Sequence, residues 1–405
     1  MLQANRGARL VTQHPHLMAN YGRLALNIVR GEGCWLFDES GNAYLDLVAG
    51  IAVCALGHAH PRIARAIAEQ AATLVHVSNL VHHEPAGMLA DRLAALSGFD
   101  TVFFCNSGSE ANEAAIKLAR KHAYRRGEPQ RNVILAARGA FHGRTMGSLT
   151  ATDNPKYHEG FQPLPAGFAH VAFNDVDALD AAIDETTACF LVEPVQGESG
   201  VVPATQAYLE AARRLCDERG ALLIFDEVQC GMGRLGRLFA HQVYDVRPDA
   251  FTLAKSLANG LPIGALLVRG EAATALRPGD HGTTFGGSCV PAAAALEHLA
   301  IRDVIDLDAQ VTAVGGLLRD ELAAIAADFP TVFEPPRGLG LMLGLPVREP
   351  YAAGDFVAPA LDQNLFINAA GRNTLRFIPP LIITADEVRE GMQRLRATIA
   401  ATLPR

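Results

Sequence analysis

Short apolar runs alternate with longer helical patterns through the middle of the chain. The runs that predict buried strands are 101–105, 132–136, 189–192, 221–225 and 266–268. Helices are predicted between them, over 109–125 and over 206–219. This alternation is typical of an α/β domain with a mostly parallel central sheet. Residues that carry chemistry are then expected at the carboxyl ends of the strands.

The two ends of the chain have a different pattern. Residues 33–38 and 43–47 predict two strands joined by a Ser-Gly-Asn turn, which is a strong hairpin signal. Further strands and a final helix are predicted toward the C-terminus, at 338–345, 375–378 and 385–403. We therefore expect a smaller α+β domain that both termini build and that packs around the central one.

The expected domain boundaries follow from this change of pattern. Residues 1–50 form an N-terminal arm and part of the small domain, 51–290 the large domain, and 291–405 the remainder of the small domain. Arg6 and Arg9 precede the first acidic residue, Glu32, as in a transit peptide, but the segment lacks the apolar centre of a signal peptide. We interpret it as a native arm.

Composition excludes several classes of protein. Lys and Arg number 35 against 43 Asp and Glu, so the net charge is −8, which argues against a broad nucleic-acid-binding surface. No apolar run reaches the roughly 18 residues of a membrane span. The seven cysteines show no Cys-x-x-Cys spacing, so we expect reduced thiols and no metal site. The expectation is a cytoplasmic enzyme that binds neither nucleic acid nor membrane.

Lysine is scarce, and one lysine is placed unlike the others. The chain has four, and Lys117 and Lys121 lie i, i+4 on a predicted helix, while Lys156 follows an Asn-Pro loop signal. Lys255 ends the apolar run 250–254. A primary amine at the end of a buried strand is desolvated, which lowers its pKa and makes it a better nucleophile. A buried structural lysine is the alternative.

A carboxylate precedes that lysine by one predicted strand. Asp226 directly follows the apolar run 221–225, where an unpaired charge would be costly. A protonated ring nitrogen of a cofactor would pair with it, although a structural cap or an arginine partner explains it equally well. A crossover of helix size between neighbouring strands would bring Asp226 and Lys255 to the same edge of the sheet.

Two loops add candidate binding groups. Ser107 and Glu110 fit the capping pattern of a helix start, and free N–H groups beside Gly108 and Ser109 would suit a phosphate. A plain capped helix is the simpler interpretation of that segment alone. In the second loop, Phe141 could stack on an aromatic cofactor and Arg144 could bind a carboxylate. Taken singly, these two are more often a core residue and a salt-bridge partner.

Together these segments resemble the class III, ornithine-aminotransferase-like family of pyridoxal-phosphate aminotransferases, which has fold type I. The resemblance runs from about Tyr21 to the C-terminus. Each motif alone is a weak indication of the family, but the order and spacing of all the motifs together are specific to it. They comprise the Lys255 strand and the segments 106–112, 141–145, 193–198, 226–234 and 282–287.

The resemblance implies pyridoxal 5'-phosphate as cofactor and assigns residues to it. Lys255 would carry it as a Schiff base and transfer the substrate proton, while Asp226 would pair with the pyridinium nitrogen. Gly108 and Ser109 would bind the phosphate. The full set implied is Gly108, Ser109, Phe141, Asp226, Glu227, Val228, Gln229, Lys255 and Thr284.

Individual roles follow for the rest of that set. Phe141 and Val228 would enclose the ring, and Gln229 would bind its hydroxyl. Thr284 would reach the phosphate of a neighbouring subunit, so a homodimer with shared active sites is implied. Thr283 would lie near the substrate.

The implied substrate residues bind two different carboxylates. Arg144, helped by Tyr21, would bind the α-carboxylate of an acylated ornithine, and Arg376 would bind that of glutamate. Glu198 would pair with Arg376 while the ω-amine substrate is bound. We hypothesise that this masking lets one site accept both substrates.

Within the family the chain is most similar to enzymes of arginine biosynthesis that act on N-acetylornithine with 2-oxoglutarate. Ile51 stands where ornithine aminotransferases tend to carry tyrosine, which favours an N-acylated donor. N-succinylornithine, N-succinyl-diaminopimelate, free ornithine and 4-aminobutyrate are the alternative donors. An aminomutase or racemase and a non-catalytic homologue are further alternatives, which the two arginines and the retained Lys255 and Asp226 respectively disfavour.

Overall fold

A computed structural model describes residues 16–371 and 373–403. Its strands are β1 (Ile28–Glu32), β2 (Trp35–Asp38), β3 (Ala43–Asp46), β4 (Thr101–Cys105), β5 (Val133–Ala137), β6 (Phe168–Val171), β7 (Thr187–Val192), β8 (Val195–Gln196), β9 (Val202–Pro203), β10 (Leu222–Asp226), β11 (Ala250–Leu253), β12 (Gly264–Val268), β13 (Arg337–Leu339), β14 (Met342–Pro346), β15 (Leu365–Phe366), β16 (Asn368–Ala370) and β17 (Thr374–Phe377).

Within the described residues, the α-helices range from single turns to three long elements of 18 to 22 residues. They are α1 (Ala49–Ala52), α2 (Pro61–Thr73), α3 (Glu84–Ser97), α4 (Gly108–Arg125), α5 (Met146–Ala151), α6 (Pro155–His158), α7 (Val176–Ala182), α8 (Gln206–Arg219), α9 (His241–Tyr244), α10 (Cys289–Arg302), α11 (Leu307–Asp328), α12 (Gly354–Asp362) and α13 (Ala385–Thr402).

A seven-stranded sheet with the order β4-β12-β11-β10-β7-β5-β6 forms the centre of the molecule. Its neighbours from β11 to β6 pair in parallel, and β12 runs antiparallel to both β11 and β4. The predicted α/β class with a mostly parallel sheet is confirmed. The sequence pattern missed β6, whose four residues mix Phe168 and Val171 with a polar histidine.

Side chains of β10 alternate between two cores. Leu223 and Phe225 pack in one core with helix α8, while Leu222 and Ile224 pack in a second core with helix α4. All five residues of β10 are buried. A strand covered by helices on both faces can be apolar throughout, which is why its sequence shows no alternation. The carboxyl edge of this sheet is therefore the part left to carry polar groups.

Segments from both termini meet in the smaller sheets. The predicted hairpin is present as β2 and β3, and the late strand β15 pairs in parallel with β3. A second sheet has the order β13-β14-β17-β16 and places Arg376 opposite Gly344. The C-terminal part of the chain thus packs against its N-terminal part. The domain limits at residues 50 and 290 remain a prediction.

The two-sided core generates a prediction on stability. Phe190 lies on the central strand β7 and is 0% exposed. Its ring packs edge-on against the Tyr208 ring, with 6.1 Å between the two ring centres. Replacing Phe190 with alanine should lower the free energy of unfolding by about 3–5 kcal/mol, since a cavity remains. Urea unfolding followed by circular dichroism measures this. Phe161, which is 59% exposed, is the matched control and should change stability by less than about 0.5 kcal/mol on Phe161→Ala.

Candidate active site

Lys255 lies two residues beyond the last residue of β11, after Ala254. Its φ of 41° lies in the left-handed region, which costs a residue with a side chain about 1 kcal/mol or more. The turn Lys255–Ala258 is held by a hydrogen bond of 2.7 Å from Ser256 Oγ to Ala52 O. Burial lowers the pKa of Lys255 because it disfavours the ammonium form. At a given pH, a larger fraction of this amine is therefore neutral than in a solvated lysine.

Asp226 ends β10, the parallel neighbour of β11, and is 3% exposed. Its Oδ2 accepts hydrogen bonds from Asn112 Nδ2 at 2.7 Å and His142 Nδ1 at 2.8 Å. Its Oδ1 accepts from the backbone N–H of Val228 at 3.0 Å. A buried carboxylate is stable only when so paired. The side chain is thus held in one orientation at the sheet edge.

A cavity of about 330 Å³ opens at the same edge and brings many of the expected residues together. Both Lys255 and Asp226 line it. The other lining residues that carry polar or aromatic groups are Asn106, Ser107, Ser109, Asn112, Phe141, His142, Glu193 and Gln229. Val228 and Gly108 also line this cavity. The separate sequence segments therefore form one site.

The start of helix α4 forms one wall of the cavity. Ser107 caps the helix by accepting a hydrogen bond from the N–H of Glu110 at 3.2 Å. The Glu110 carboxylate in turn accepts a hydrogen bond from the N–H of Asn106 at 2.5 Å. In a standard capping box the acceptor would instead bind the N–H of the capping residue, here Ser107. A Cβ on Gly108 would lie 2.7 Å from Val228 Cγ1, so a larger residue there would displace Val228. The helix N-terminus at Gly108 and Ser109 lines the cavity, where its N–H groups suit an anion.

Arg376 and Glu198 form an ion pair beside the cavity. The Nη1 to Oε1 distance is 2.5 Å, and Arg376 is 1% exposed. Gln229 joins the pair by donating to Glu198 at 3.2 Å and accepting from Arg376 at 3.2 Å. Burial alone would raise the pKa of Glu198, but the charges of Arg376 and Lys255 outweigh it and lower that pKa. Glu198 is therefore a carboxylate at neutral pH.

Arg144 lies at the mouth of the site and is exposed. Its guanidinium carbon is 3.8 Å from the centre of the Tyr157 ring and 5.6 Å from that of Phe141. Its backbone N–H donates to Ser109 Oγ at 3.1 Å, which connects this loop to the helix start. A guanidinium stacked on an aromatic ring keeps its N–H groups free for a ligand, because they point outward in the plane of the guanidinium.

Seven of the expected residues do not line this cavity. Arg144, Glu198 and Arg376 lie beside it, as described above. Glu227 turns away, because its carboxylate accepts hydrogen bonds from the backbone N–H groups of Ala240 and His241 at 2.5 and 2.9 Å. Thr283 and Thr284 line a separate cavity of about 450 Å³. Tyr21 is 69% exposed and stacks with Arg23.

Comparison with known proteins places this geometry in a family. A model of class-III aminotransferases matches residues 17–399. The chain belongs to the class-III aminotransferase family.

Relatives within that family cover nearly the whole chain. An acetylornithine aminotransferase from Gloeobacter violaceus is 48% identical, over 95% of this chain and 96% of its own. A solved N-acetylornithine aminotransferase from Stenotrophomonas maltophilia is 41% identical, with a TM-score of 0.82 over 93% of this chain and 96% of its own. A Toxoplasma gondii ornithine aminotransferase, solved with PLP at partial occupancy in its active site, is 33% identical, with a TM-score of 0.91 over 96% and 92%.

Four polar residues of this aminotransferase site were missed from the sequence. Asn112 and His142 hold Asp226, and Thr252 Oγ1 donates to Asn112 Oδ1 at 2.9 Å. Glu193 lines the cavity from the tip of β7. A signal existed for Glu193, because it follows an apolar strand as Asp226 does. Asn112 lies within a helix, where no sequence signal separates it from a surface residue.

Two further features of the described residues concern membrane spans and metal sites. In the described ranges, no helix is long and apolar enough to cross a membrane. The same residues contain no group of three or more His, Cys, Asp or Glu that could hold a metal ion.

The close approach at the helix start gives a testable prediction. Gly108→Ala should lower the free energy of unfolding by about 1–3 kcal/mol, since the added methyl overlaps Val228. Val228→Ala should relieve most of that loss when the two are combined. Chemical unfolding of both single variants and the double variant gives the coupling energy.

A second glycine serves as control for that experiment. A Cβ on Gly316 in helix α11 meets nothing within 4 Å, so Gly316→Ala should not destabilise the protein. Strict additivity of Gly108→Ala and Val228→Ala would contradict the proposed overlap.

Proposed function

We propose that this protein is a pyridoxal-5'-phosphate-dependent acetylornithine aminotransferase. It transfers the δ-amino group of N2-acetyl-L-ornithine to 2-oxoglutarate and yields N-acetyl-L-glutamate 5-semialdehyde and L-glutamate. This reaction belongs to arginine biosynthesis. The observation that carries the proposal is the cavity that Lys255 and Asp226 line together. The similarity to acetylornithine aminotransferases supports the choice of donor.

The residues of the cavity fit this cofactor. Gly108 and Ser109 bring the N-terminus of helix α4 to the cavity wall, where its backbone N–H groups suit a phosphate. Phe141 and Val228 offer one aromatic and one aliphatic surface for a flat ring. Asp226 offers a buried carboxylate that would keep a ring nitrogen protonated. When bound, the cofactor supplies an electron sink for the carbon that loses its proton.

Lys255 would have two roles that need an amine. Its neutral form would hold the cofactor covalently, and the lowered pKa increases the share of that form. Its Nζ would also take a proton from the substrate carbon and return it. Its position on a strained, hydrogen-bonded turn fixes where that amine lies in the cavity.

Glu198 and Arg376 resolve the difference between the two substrates. The amine of acetylornithine is remote from its carboxylate, so Arg376 must not attract that carboxylate, and its pairing with Glu198 achieves this. Arg144, exposed at the mouth, is placed to bind the distant carboxylate. Glutamate carries a carboxylate beside its amine and competes with Glu198 for Arg376.

The active form in this proposal is a homodimer in the cytoplasm. Thr283 and Thr284 line a cavity apart from Lys255, which suits residues that serve the site of a second copy. Phe285 beside them is 60% exposed and would be covered in a dimer. All seven cysteines lack a disulfide partner, as in a reducing compartment. The partners are these small molecules, without nucleic acid or membrane.

A single-turnover titration tests the proposed function. Purified protein in the pyridoxal form is mixed separately with N-acetylornithine, N-succinylornithine, ornithine and 4-aminobutyrate, and loss of the visible cofactor absorbance is followed. N-acetylornithine should convert the cofactor fastest and ornithine much more slowly. Lys255→Ala should fold normally and slow conversion by more than about 10³-fold. If only glutamate converts the cofactor, the protein is still an aminotransferase, but N-acetylornithine is not its amine donor.

The masking of Arg376 gives a separate prediction. Glu198→Gln removes the charge that competes for Arg376, so the acetylornithine half-reaction should slow by about tenfold or more while the glutamate half-reaction keeps its rate. Stopped-flow measurement of each half-reaction provides the ratio. Glu218→Gln, on the surface of helix α8, is the control and should alter neither. Equal slowing of both half-reactions by Glu198→Gln would disprove the switch.

A further inference from the structure

Glu193 is a buried carboxyl group at the tip of β7, 5% exposed, without a role in the chemistry described above. Strand β7 lies between β10 and β5 in the sheet. Because Val192 pairs with Phe225, the next residues along, Glu193 and Asp226, lie side by side at the carboxyl edge. Glu193 is therefore placed at the centre of the site, between the loop after β5 and the segment that leads to Glu198.

The two oxygens of Glu193 bind two different loops. Oε1 accepts a hydrogen bond from the backbone N–H of Phe141 at 2.9 Å. Oε2 accepts one from the backbone N–H of Gly197 at 3.2 Å. Backbone N–H groups are fixed points of a loop, so each bond fixes the path of the chain rather than one rotamer. One carboxyl group thus determines the relative position of both loops.

Each of these loops carries one half of the proposed function. Phe141 presents the aromatic face of the cofactor cavity, and His142 beside it holds Asp226. Gly197 O accepts from Arg376 Nη1 at 3.3 Å, and the next residue, Glu198, forms the ion pair with Arg376. A shift of Gly197 would move two acceptors of that arginine at once, the carbonyl oxygen of Gly197 and the carboxylate of Glu198.

We propose that Glu193 is a positioning residue that couples the ring-stacking loop at Phe141 to the Glu198–Arg376 carboxylate gate. It thereby helps to determine which amine donor the enzyme accepts. This inference rests on the proposed function for its consequence on donors, but the coupling of the two loops does not depend on it.

Electrostatics makes this link sensitive to pH. Burial, followed by the charge of Asp226, raises the pKa of Glu193 to about 7, while His142 and the two backbone donors oppose the rise. Among the described residues, Lys255 and the Cys230 thiol also interact electrostatically with Glu193. Above pH 7 the ionised carboxylate accepts strongly at both oxygens, and below it the protonated oxygen accepts more weakly. Both loops should therefore loosen together as the pH falls through about 7.

Amide hydrogen exchange on the apoprotein tests the coupling without any activity. In the wild type, corrected protection of Phe141 and Gly197 should decrease with falling pH and share one midpoint near 7. Glu193→Gln keeps the shape but can accept at one oxygen only. Protection of at least one of the two amides should fall by about tenfold, and the shared midpoint should disappear.

The matched control is a carboxylate that fixes a backbone group at the opposite edge of the same sheet. Asp249 accepts from the N–H of Leu223 at 2.8 Å. Asp249→Asn should reduce stability and leave the protection of Phe141 and Gly197, relative to the global value, unchanged. If the midpoint persists in Glu193→Gln, it belongs to another group and the proposal fails. Unchanged protection at both amides overturns it as well.

The holoenzyme gives the functional outcome. Glu193→Gln should raise the dissociation constant of the cofactor and, separately, slow the acetylornithine half-reaction more than the glutamate one, by about tenfold. A residue with a merely structural role would slow both equally. If the wild type does not convert N-acetylornithine at all, the proposed donor is wrong, yet the exchange experiment still decides whether Glu193 couples the loops.

Discussion

The hydrogen bonds to the buried Asp226 carboxylate are the constraint on which the rest of the site depends. A charge with 3% exposure at the tip of a central strand would destabilise the fold by several kcal/mol if it were unpaired. Asn112 and His142 both donate to one oxygen, and they come from helix α4 and from the loop after β5. Satisfying one carboxylate thus fixes two elements around the cavity, including the helix whose start would bind phosphate.

The same constraint explains why stability and function share residues here. Asn112 accepts from Thr252 on β11, the strand that leads to Lys255, so the network reaches the lysine as well as the ring-stacking loop. The acid and the amine are therefore positioned through a common set of bonds. Rigid support of this kind keeps reacting groups within the small tolerance that catalysis requires.

Sequence reasoning predicted the sheet well because buried strands leave a direct trace. The run 101–105 coincides with β4, and 206–219 with helix α8, since apolar length and the glycine after the helix mark their ends. Strand β6 left no such trace, because its alternation is short and includes a histidine. Lys255 and Asp226 could be singled out because each breaks an apolar run at a strand tip. By that rule Glu193 was equally visible.

Side-chain direction was the part that the sequence could not supply. Glu227 is adjacent to Asp226, yet it points to the N–H groups of Ala240 and His241, because successive residues past a strand tip face different sides. Tyr21 is exposed, and Thr284 lines a cavity apart from Lys255, so neither contacts the candidate site within one chain. Gln229, which lines the cavity and is predicted at a ring hydroxyl, also bridges Glu198 and Arg376. In each case a partner remote in sequence decides the direction, and such partners appear only when the sheet has assembled.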